Sequence, residues 1–231
     1  MTAKRKPATP ERKKIFIVDD HPMMREGLAQ LIGHETDLVV CGEADDAAQA
    51  LEQIEKLQPD LALVDITLRS TSGLELIKDL RIRTPALSIL VISMHDESLY
   101  AERVLRAGGR GYVMKQEGGK KLMEAIRQVL SGKTYVSERI SAKIFDLFSG
   151  RPTESSSPVG RLTDREFEVF RIIGEGRSTK EIADKLRVSA KTVEVHRVNI
   201  KQKLNEQGED GKVIAAEMEK RTKDLFPDDV D

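Results

Sequence analysis

IFIVDDHPMM, residues 15–24, and LALVDITL, residues 61–68, decide how this chain folds. In each, four consecutive apolar residues run straight into acid: Asp19 and Asp20 after the first, Asp65 after the second. Unbroken apolar runs of that length read as strands buried on both faces, as in parallel sheets. Three more runs share the pattern, LVVC from Leu38, SILVI from Ser88 and GYV from Gly111, so that the five starts lie 23 to 27 residues apart. Ser93 closes the fourth run and Lys115 follows the fifth. If the strands are parallel, all these polar groups emerge at one edge, the one where ligands bind in open α/β sheets.

The segments between the runs have helical spacing. Met24, Leu28, Leu31 and Ile32 line the first; Ala47, Leu51 and Ile54 the second; Leu74, Ile77 and Leu80 the third. Leu99, Val104 and Leu105 are assigned to the fourth face, and Leu122, Ile126 and Val129 to the fifth. Five βα units imply a parallel sheet with right-handed crossovers and helices on both sides. SERISAKIFDLF, 137–148, reads as an extra helix, and SGRPTESSSPVG, 149–160, as a flexible linker. The division expected is a disordered basic tail over 1–13, an α/β domain over 14–134, a linker helix and flexible linker over 135–160, a helical domain over 161–223 and an acidic tail over 224–231.

Composition excludes several classes. Cys41 is the only cysteine of 231 residues, which removes disulfide frameworks and CxxC metal sites. No apolar run approaches the ~20 residues of a membrane span, and nothing near Met1 resembles a signal peptide. A cytoplasmic protein with no membrane contact is expected. The net charge of −1 hides strong segregation: +5 over residues 1–14, −5 over 15–160, +4 over 161–204 and −5 beyond. The positive block at 161–204 needs a partner.

Asp19, Asp20 and Asp65 brought together would repel one another. A hard divalent cation with oxygen ligands removes that conflict, and Mg2+ typically takes one or two carboxylates while leaving room for phosphate. A carboxylate beside it can act as a nucleophile and form an aspartyl-phosphate. Lys115 can pair with the added charge and the Ser93 hydroxyl can donate to it. The plainer alternative, Asp19 and Asp20 as helix N-caps, does not account for four positions falling on strand ends together. His21 and His95 flank the site and read as surface or supporting residues.

IFIVDDHPMMREGL, LALVDITLRSTSGLELI, LVISMHDE and GYVMKQE together resemble the receiver domain of two-component response regulators, over residues 14–132. The resemblance implies a flavodoxin-like doubly wound five-stranded sheet of order 2-1-3-4-5, with its switch point between the strands ending at Asp20 and Asp65. It implies that Asp65 accepts a phosphoryl group from a sensor histidine kinase. Asp20 would bind Mg2+ directly, Asp19 through water, and the Thr67 carbonyl would complete the ligands with Asp65. Ser93 and Tyr112 match the switch pair, whose hydroxyl moves toward the phosphoryl group while the ring rotates inward. Two positions depart from the family: Leu68 and Arg69 replace Met-Pro, and Gln116 replaces the proline after the lysine. A cis bond without proline costs ~3 kcal/mol, so a trans bond is expected at Lys115–Gln116.

The back half reads as helices. LTDREFEVFRIIGEG opens with a Thr163–Glu166 capping box and turns Phe167, Val169, Phe170 and Ile173 inward. STKEIADKL begins at Ser178 or Thr179 and buries Ile182, Ala183 and Leu186; Ser189 then caps AKTVEVHRVNIKQKL. Two short helices joined by a tight turn, the second basic, describe a helix-turn-helix. Val193, Ile200 and Leu204 anchor the inner face of the second helix, leaving Glu194, Val195, Val198, Lys201 and Gln202 outward. Outward valines suit a major groove, where apolar side chains meet thymine methyl groups, and a glutamate can accept from cytosine. The alternative is that the valines extend the core and Glu194 pairs with a neighbouring lysine. Lys191, Arg197, Lys201 and Lys203 supply the charge that favours DNA.

Leu162 to Leu204 resembles the LuxR-type four-helix DNA-binding domain. This implies Thr179 and Lys180 against phosphates, Lys191 and Thr192 on the backbone, and Glu194, Val195 and Val198 toward bases. NEQGEDGK is more acidic than the usual turn before the fourth helix, which in relatives makes the dimer contact. Receiver plus this module is the NarL/FixJ arrangement, and implies a regulator that binds double-stranded promoter DNA as a phosphorylated homodimer. Two rivals stay open: an Mg2+-dependent phosphotransferase or phosphatase, and a constitutive DNA-binding protein whose receiver is only an interaction module.

Overall fold

β1 (Lys13–Val18), β2 (Leu38–Ala44), β3 (Leu61–Val64), β4 (Ser88–Ser93) and β5 (Gly111–Met114) form one all-parallel sheet of order β2-β1-β3-β4-β5 in the computed structural model. The structure describes residues 12–68, 72–148 and 158–225. Most of the basic tail, Arg69, the linker over 149–157 and the chain from 226 on therefore lie outside the described residues. The chain forms two compact units, Met1–Ile144 and Phe145–Asp231.

In the first unit the strands alternate with α1 (Pro22–Gly33), α2 (Ala47–Leu57), α3 (Gly73–Arg83), α4 (Glu97–Ala107) and α5 (Gly119–Leu130). Period-2 alternation sorts each strand's side chains between two apolar layers. Ile15, Ile17, Leu63, Leu90 and Val113 pack against Leu28 and Ile32 of α1 and Leu122, Ile126 and Val129 of α5. Phe16, Val18, Ala62 and Val64 point the other way and are as deeply buried. The fourth helix departs from expectation. Of the expected residues Val104 is buried, but Leu99 is 46% exposed and Leu105 half-buried, and Tyr100, Ala101 and Ala107 complete the inward stripe. Two stripes one residue apart compete in ESLYAERVLRA, and the larger Tyr100 ring takes the inside. A short 3-10 turn, Lys115–Glu117, follows β5. No cis peptide occurs among the described residues, so Lys115–Gln116 is trans as expected.

α6 (Glu138–Phe148) spans the division between the units. The second unit holds α7 (Asp164–Gly174), α8 (Thr179–Leu186), α9 (Ala190–Asn205) and α10 (Gly208–Leu225). Reciprocal capping boxes, Thr163 with Glu166 and Ser178 with Glu181, start α7 and α8. That resolves the α8 cap in favour of Ser178. Phe167, Val169, Ile172 and Ile173 of α7, Ile182 and Ala183 of α8, and Val193, Ile200 and Leu204 of α9 are buried where these three helices pack on one another; Phe170 and Leu186 are only half-buried. The acidic stretch read as an unusual turn is the first turn of α10, with Glu209 and Asp210 at its positive end.

Candidate phosphoacceptor site and nucleic-acid interface

Register brings the acids together. Val18 pairs with Val64 across β1 and β3, so the residues one step beyond are neighbours; Asp65 N donates to Val18 O at 2.8 Å. Asp19, Asp20 and Asp65 are 0, 8 and 3% exposed. One carboxylate oxygen from each, with a His21 ring nitrogen, falls within a 4.8 Å cluster. Lys115 Nζ donates to Asp19 Oδ2 at 2.6 Å and to Asp65 Oδ2 at 2.7 Å. Asp65 Oδ1 accepts from Thr67 N at 3.1 Å. Asp19 Oδ1 accepts from His21 N at 2.9 Å, and His21 Nδ1 stands 2.8 Å from Asp20 Oδ1. His21, with no side-chain cap, occupies the N-cap position of α1, so neither aspartate caps that helix.

Electrostatics single out one group. Burial pushes the Asp65 carboxyl above its ordinary range, and the neighbouring Asp19 adds to this against the opposing pull of Lys115. For Lys115, burial alone would lower the ammonium, but its bonds to Asp19 and Asp65 outweigh that and hold it charged. Three carboxyl groups face one ammonium in a site whose acids are almost fully buried. The three carboxylate oxygens of that cluster fit a hard divalent cation such as Mg2+. Ser93 and Tyr112 nearby are linked through His95. Ser93 Oγ accepts from His95 N at 3.2 Å. Tyr112 is turned inward, its hydroxyl donating to the His95 carbonyl at 2.8 Å. Burial pushes the Tyr112 phenol well up, partly offset by its bond with Ser93.

His95 is more involved than its sequence position suggested. Its Nε2 shares a 3.0 Å hydrogen bond with Thr67 Oγ1, and its ring stacks on Tyr100 with centroids 5.2 Å apart. A His beside a strand end gives no hint of a partner 28 residues away.

On the second unit, Val195 and Val198 are 53 and 64% exposed, so they do not extend the core. Lys180, Lys191, Thr192, Glu194 and Lys201 are also exposed. Glu194 Oε1 accepts from Thr179 Oγ1 at 2.9 Å and from Arg197 at 2.8 Å, joining the start of α8 to α9. Thr192 N is held by the Ser189 cap at 3.0 Å. Lys201 is paired with Glu219 of α10. Lys203, counted above with the DNA-facing charges, turns inward instead and pairs with buried Glu166 at 2.6 Å. The helical period explains this, since Lys203 falls beside Leu204 and Ile200 on the packed side.

A phosphoacceptor-type acid cluster on a doubly wound sheet, followed by a helix-turn-helix, defines a signal-responsive DNA-binding regulator, and relatives agree. Residues 15–127 match the response regulator receiver domain family, and residues 160–210 match the family of bacterial regulatory proteins, luxR family. The chain is 34% identical to the transcriptional regulatory protein DegU of Brevibacillus brevis over 206 residues, 83% of this chain and 87% of that one. It is 34% identical to the oxygen regulatory protein NreC of Staphylococcus carnosus over 197 residues, 83% of this chain and 91% of that one. Among solved structures, RcsB of Salmonella enterica serovar Typhimurium, bound to promoter P1flhDC with phosphomimetic BeF3−, superposes with a TM-score of 0.63 at 26% identity, covering 84% of this chain and 93% of RcsB. The chain belongs to the NarL/FixJ-type response regulators, DNA-binding proteins of two-component systems. No described helix is long and apolar enough to cross a membrane.

Proposed function

We propose that phosphorylation of Asp65 by a sensor histidine kinase switches the affinity of α9 for promoter DNA. The observation that carries this is the Asp65 carboxylate, buried and raised by that burial, joined to Asp19 through one shared ammonium at the β1/β3 switch point. Transfer breaks the donor's P–N bond and forms a P–O bond at an Asp65 oxygen, the electron pair returning to the histidine nitrogen. Asp20 and Asp65, the Thr67 carbonyl and, through water, Asp19 would hold Mg2+. When bound, the ion neutralises charge on the transferring group. Lys115 shifts from carboxylate to phosphoryl oxygen, and Ser93 turns its proton toward it. Slow attack by water on the acyl-phosphate returns the carboxylate.

The inward Tyr112 matches the ring position that accompanies phosphorylation in this family. In the second unit, Thr179, Lys180, Lys191, Thr192, Arg197 and Lys201 position the helix on phosphates, and Glu194, Val195 and Val198 read bases. A homodimer would span two half-sites about one helical turn or its multiples apart. The setting is the cytoplasm.

Intact mass after treatment with acetyl phosphate and Mg2+ should show one phosphoryl group on wild type and none on Asp65→Asn. Genome-wide mapping of bound DNA should then recover sites with wild type that Asp65→Asn leaves weakly occupied. Equal occupancy by both proteins, with wild type phosphorylated, overturns the switch.

A further inference from the structure

The first turn of α6 is fastened to the β4–α4 segment. Glu97, the first residue of α4, accepts a hydrogen bond from Ser137 N at 2.8 Å through Oε1, across 40 residues of sequence. Ser137 stands at the start of α6: its Oγ accepts from Ile140 N at 3.3 Å and its carbonyl from Ser141 N at 2.9 Å. The Glu97 carboxylate thus satisfies a backbone donor just where a helix N-terminus favours negative charge. Asp96 next to it is drawn down chiefly by its hydrogen bonds to Ser98, with the Arg139 guanidinium of α6 contributing. The chain entering α6 is also stitched to β5 beside the switch tyrosine: Tyr112 N donates to Tyr135 O at 2.9 Å and Tyr135 N to Arg110 O at 3.0 Å.

At its other end this segment is held by the phosphoacceptor site. His95, two residues before Glu97, accepts from the inward Tyr112 hydroxyl, donates its N–H to Ser93 Oγ and shares a bond with Thr67. Ser93 cannot move toward a phosphoryl group without shifting His95, and a Tyr112 ring rotated outward would release it. The bond to α6 is made in the inward arrangement. We propose that Glu97 is a positioning residue that caps α6 when the switch is in this state, so that phosphorylation orders the first turn of the helix leading toward the DNA-binding unit. The proposal rests on the reading of Asp65 as phosphoacceptor.

The test is hydrogen exchange on the full-length chain with and without acetyl phosphate and Mg2+, following the amides of 137–144, in wild type, Glu97→Gln and Glu97→Ala. Intact mass reports phosphorylation separately. Wild type should show exchange slowed about three- to ten-fold on phosphorylation, the size of one capping interaction. Glu97→Gln, which keeps the acceptor oxygen, should retain the slowing, and Glu97→Ala should lose it while phosphorylated to the same extent. A wild-type response in Glu97→Ala overturns the proposal, as does phosphorylated wild type with unchanged exchange. Glu97→Ala that takes up no phosphoryl group overturns it too, because Glu97 would then act on transfer. If wild type itself is not phosphorylated, the Asp65 reading has failed and the proposal falls with it.

Discussion

Asp65 is held in a site that costs stability. Its carboxyl is raised by burial and by Asp19, so the charged form is less favourable folded than unfolded. The sign follows: as pH climbs from the unfolded value of 3.8 through the raised folded one, deprotonation removes stability from this position. Asp65→Asn deletes the buried charge while leaving Lys115 its bond to Asp19. It is expected to stabilise the receiver by about 1 kcal/mol in the absence of divalent cation, seen as a higher melting temperature of the full chain. Added Mg2+ should raise the melting temperature of wild type more than that of Asp65→Asn, because binding to the folded state alone stabilises it. A variant melting below wild type without metal would show that the Asp65–Lys115 bond outweighs the burial cost. Glu166 has the opposite sign. Burial would raise it, but bonds from Lys203 and Thr163 prevail and hold it below the usual range. Its stabilisation is present above the unfolded glutamate range and is lost as pH falls through the lower folded value. Glu166→Gln should therefore cost about 1–3 kcal/mol at neutral pH and progressively less toward pH 3. A stability difference that does not shrink on acidification would locate the cost elsewhere, in packing.

Elements were legible in proportion to how locally they are specified. The five strands announced themselves because short unbroken apolar runs need no distant partner to be read, and Ser178, Ser189 and Thr163 are short-range capping signals. The α4 face was read correctly at Val104 and wrongly at Leu99, because Leu99 and Tyr100 compete and tertiary packing, in which Tyr100 stacks on His95, decides between them. Glu97–Ser137 and Lys203–Glu166 join residues 40 and 37 apart, and no periodicity encodes such pairs. The start of α10 was obscured because glycines and acids suggest a turn, although acids in a first turn favour a helix. Gly208 takes φ +77, in the left-handed region, and lets α9 pass into α10. Gly211 meets a different demand: a Cβ there would collide with the carbonyl oxygen of Leu204 near the end of α9. Gly211→Ala is expected to cost about 1–3 kcal/mol by forcing the two helices apart, measured as loss of thermal stability. At the turn between α8 and α9, Arg187 holds φ +51 without being glycine. Arg187→Gly relieves strain of about 1–2 kcal/mol against an unfolded-state entropy loss of about 0.5–1 kcal/mol, so unchanged or slightly higher stability is expected.

For the whole molecule, what matters is how many positive charges of the +4 block remain for DNA once folding has used its share. Lys203 is committed to buried Glu166, and Lys201 shares its charge with Glu219, whereas Lys180 and Lys191 stand exposed at the starts of α8 and α9. Each phosphate contact releases counterions, so the logarithm of affinity falls with the logarithm of salt by a slope near −0.9 per contact. Lys191→Gln should lower the magnitude of that slope by about 1, weakening binding to all sequences alike. Lys203→Gln should leave the slope unchanged and instead reduce stability, since it strands Glu166. Glu219→Gln releases Lys201 and should steepen the slope. Titrations of DNA from the mapping experiment across a range of salt separate these three outcomes. A slope loss for Lys203→Gln equal to that for Lys191→Gln would mean that DNA pulls Lys203 out of its buried pair, and the division between folding and binding charges would have to be redrawn. Base readout is orthogonal to all three: Val198→Ala should keep the slope and lose discrimination at one thymine-containing position by about 1 kcal/mol, because a methyl contact carries sequence information and no charge.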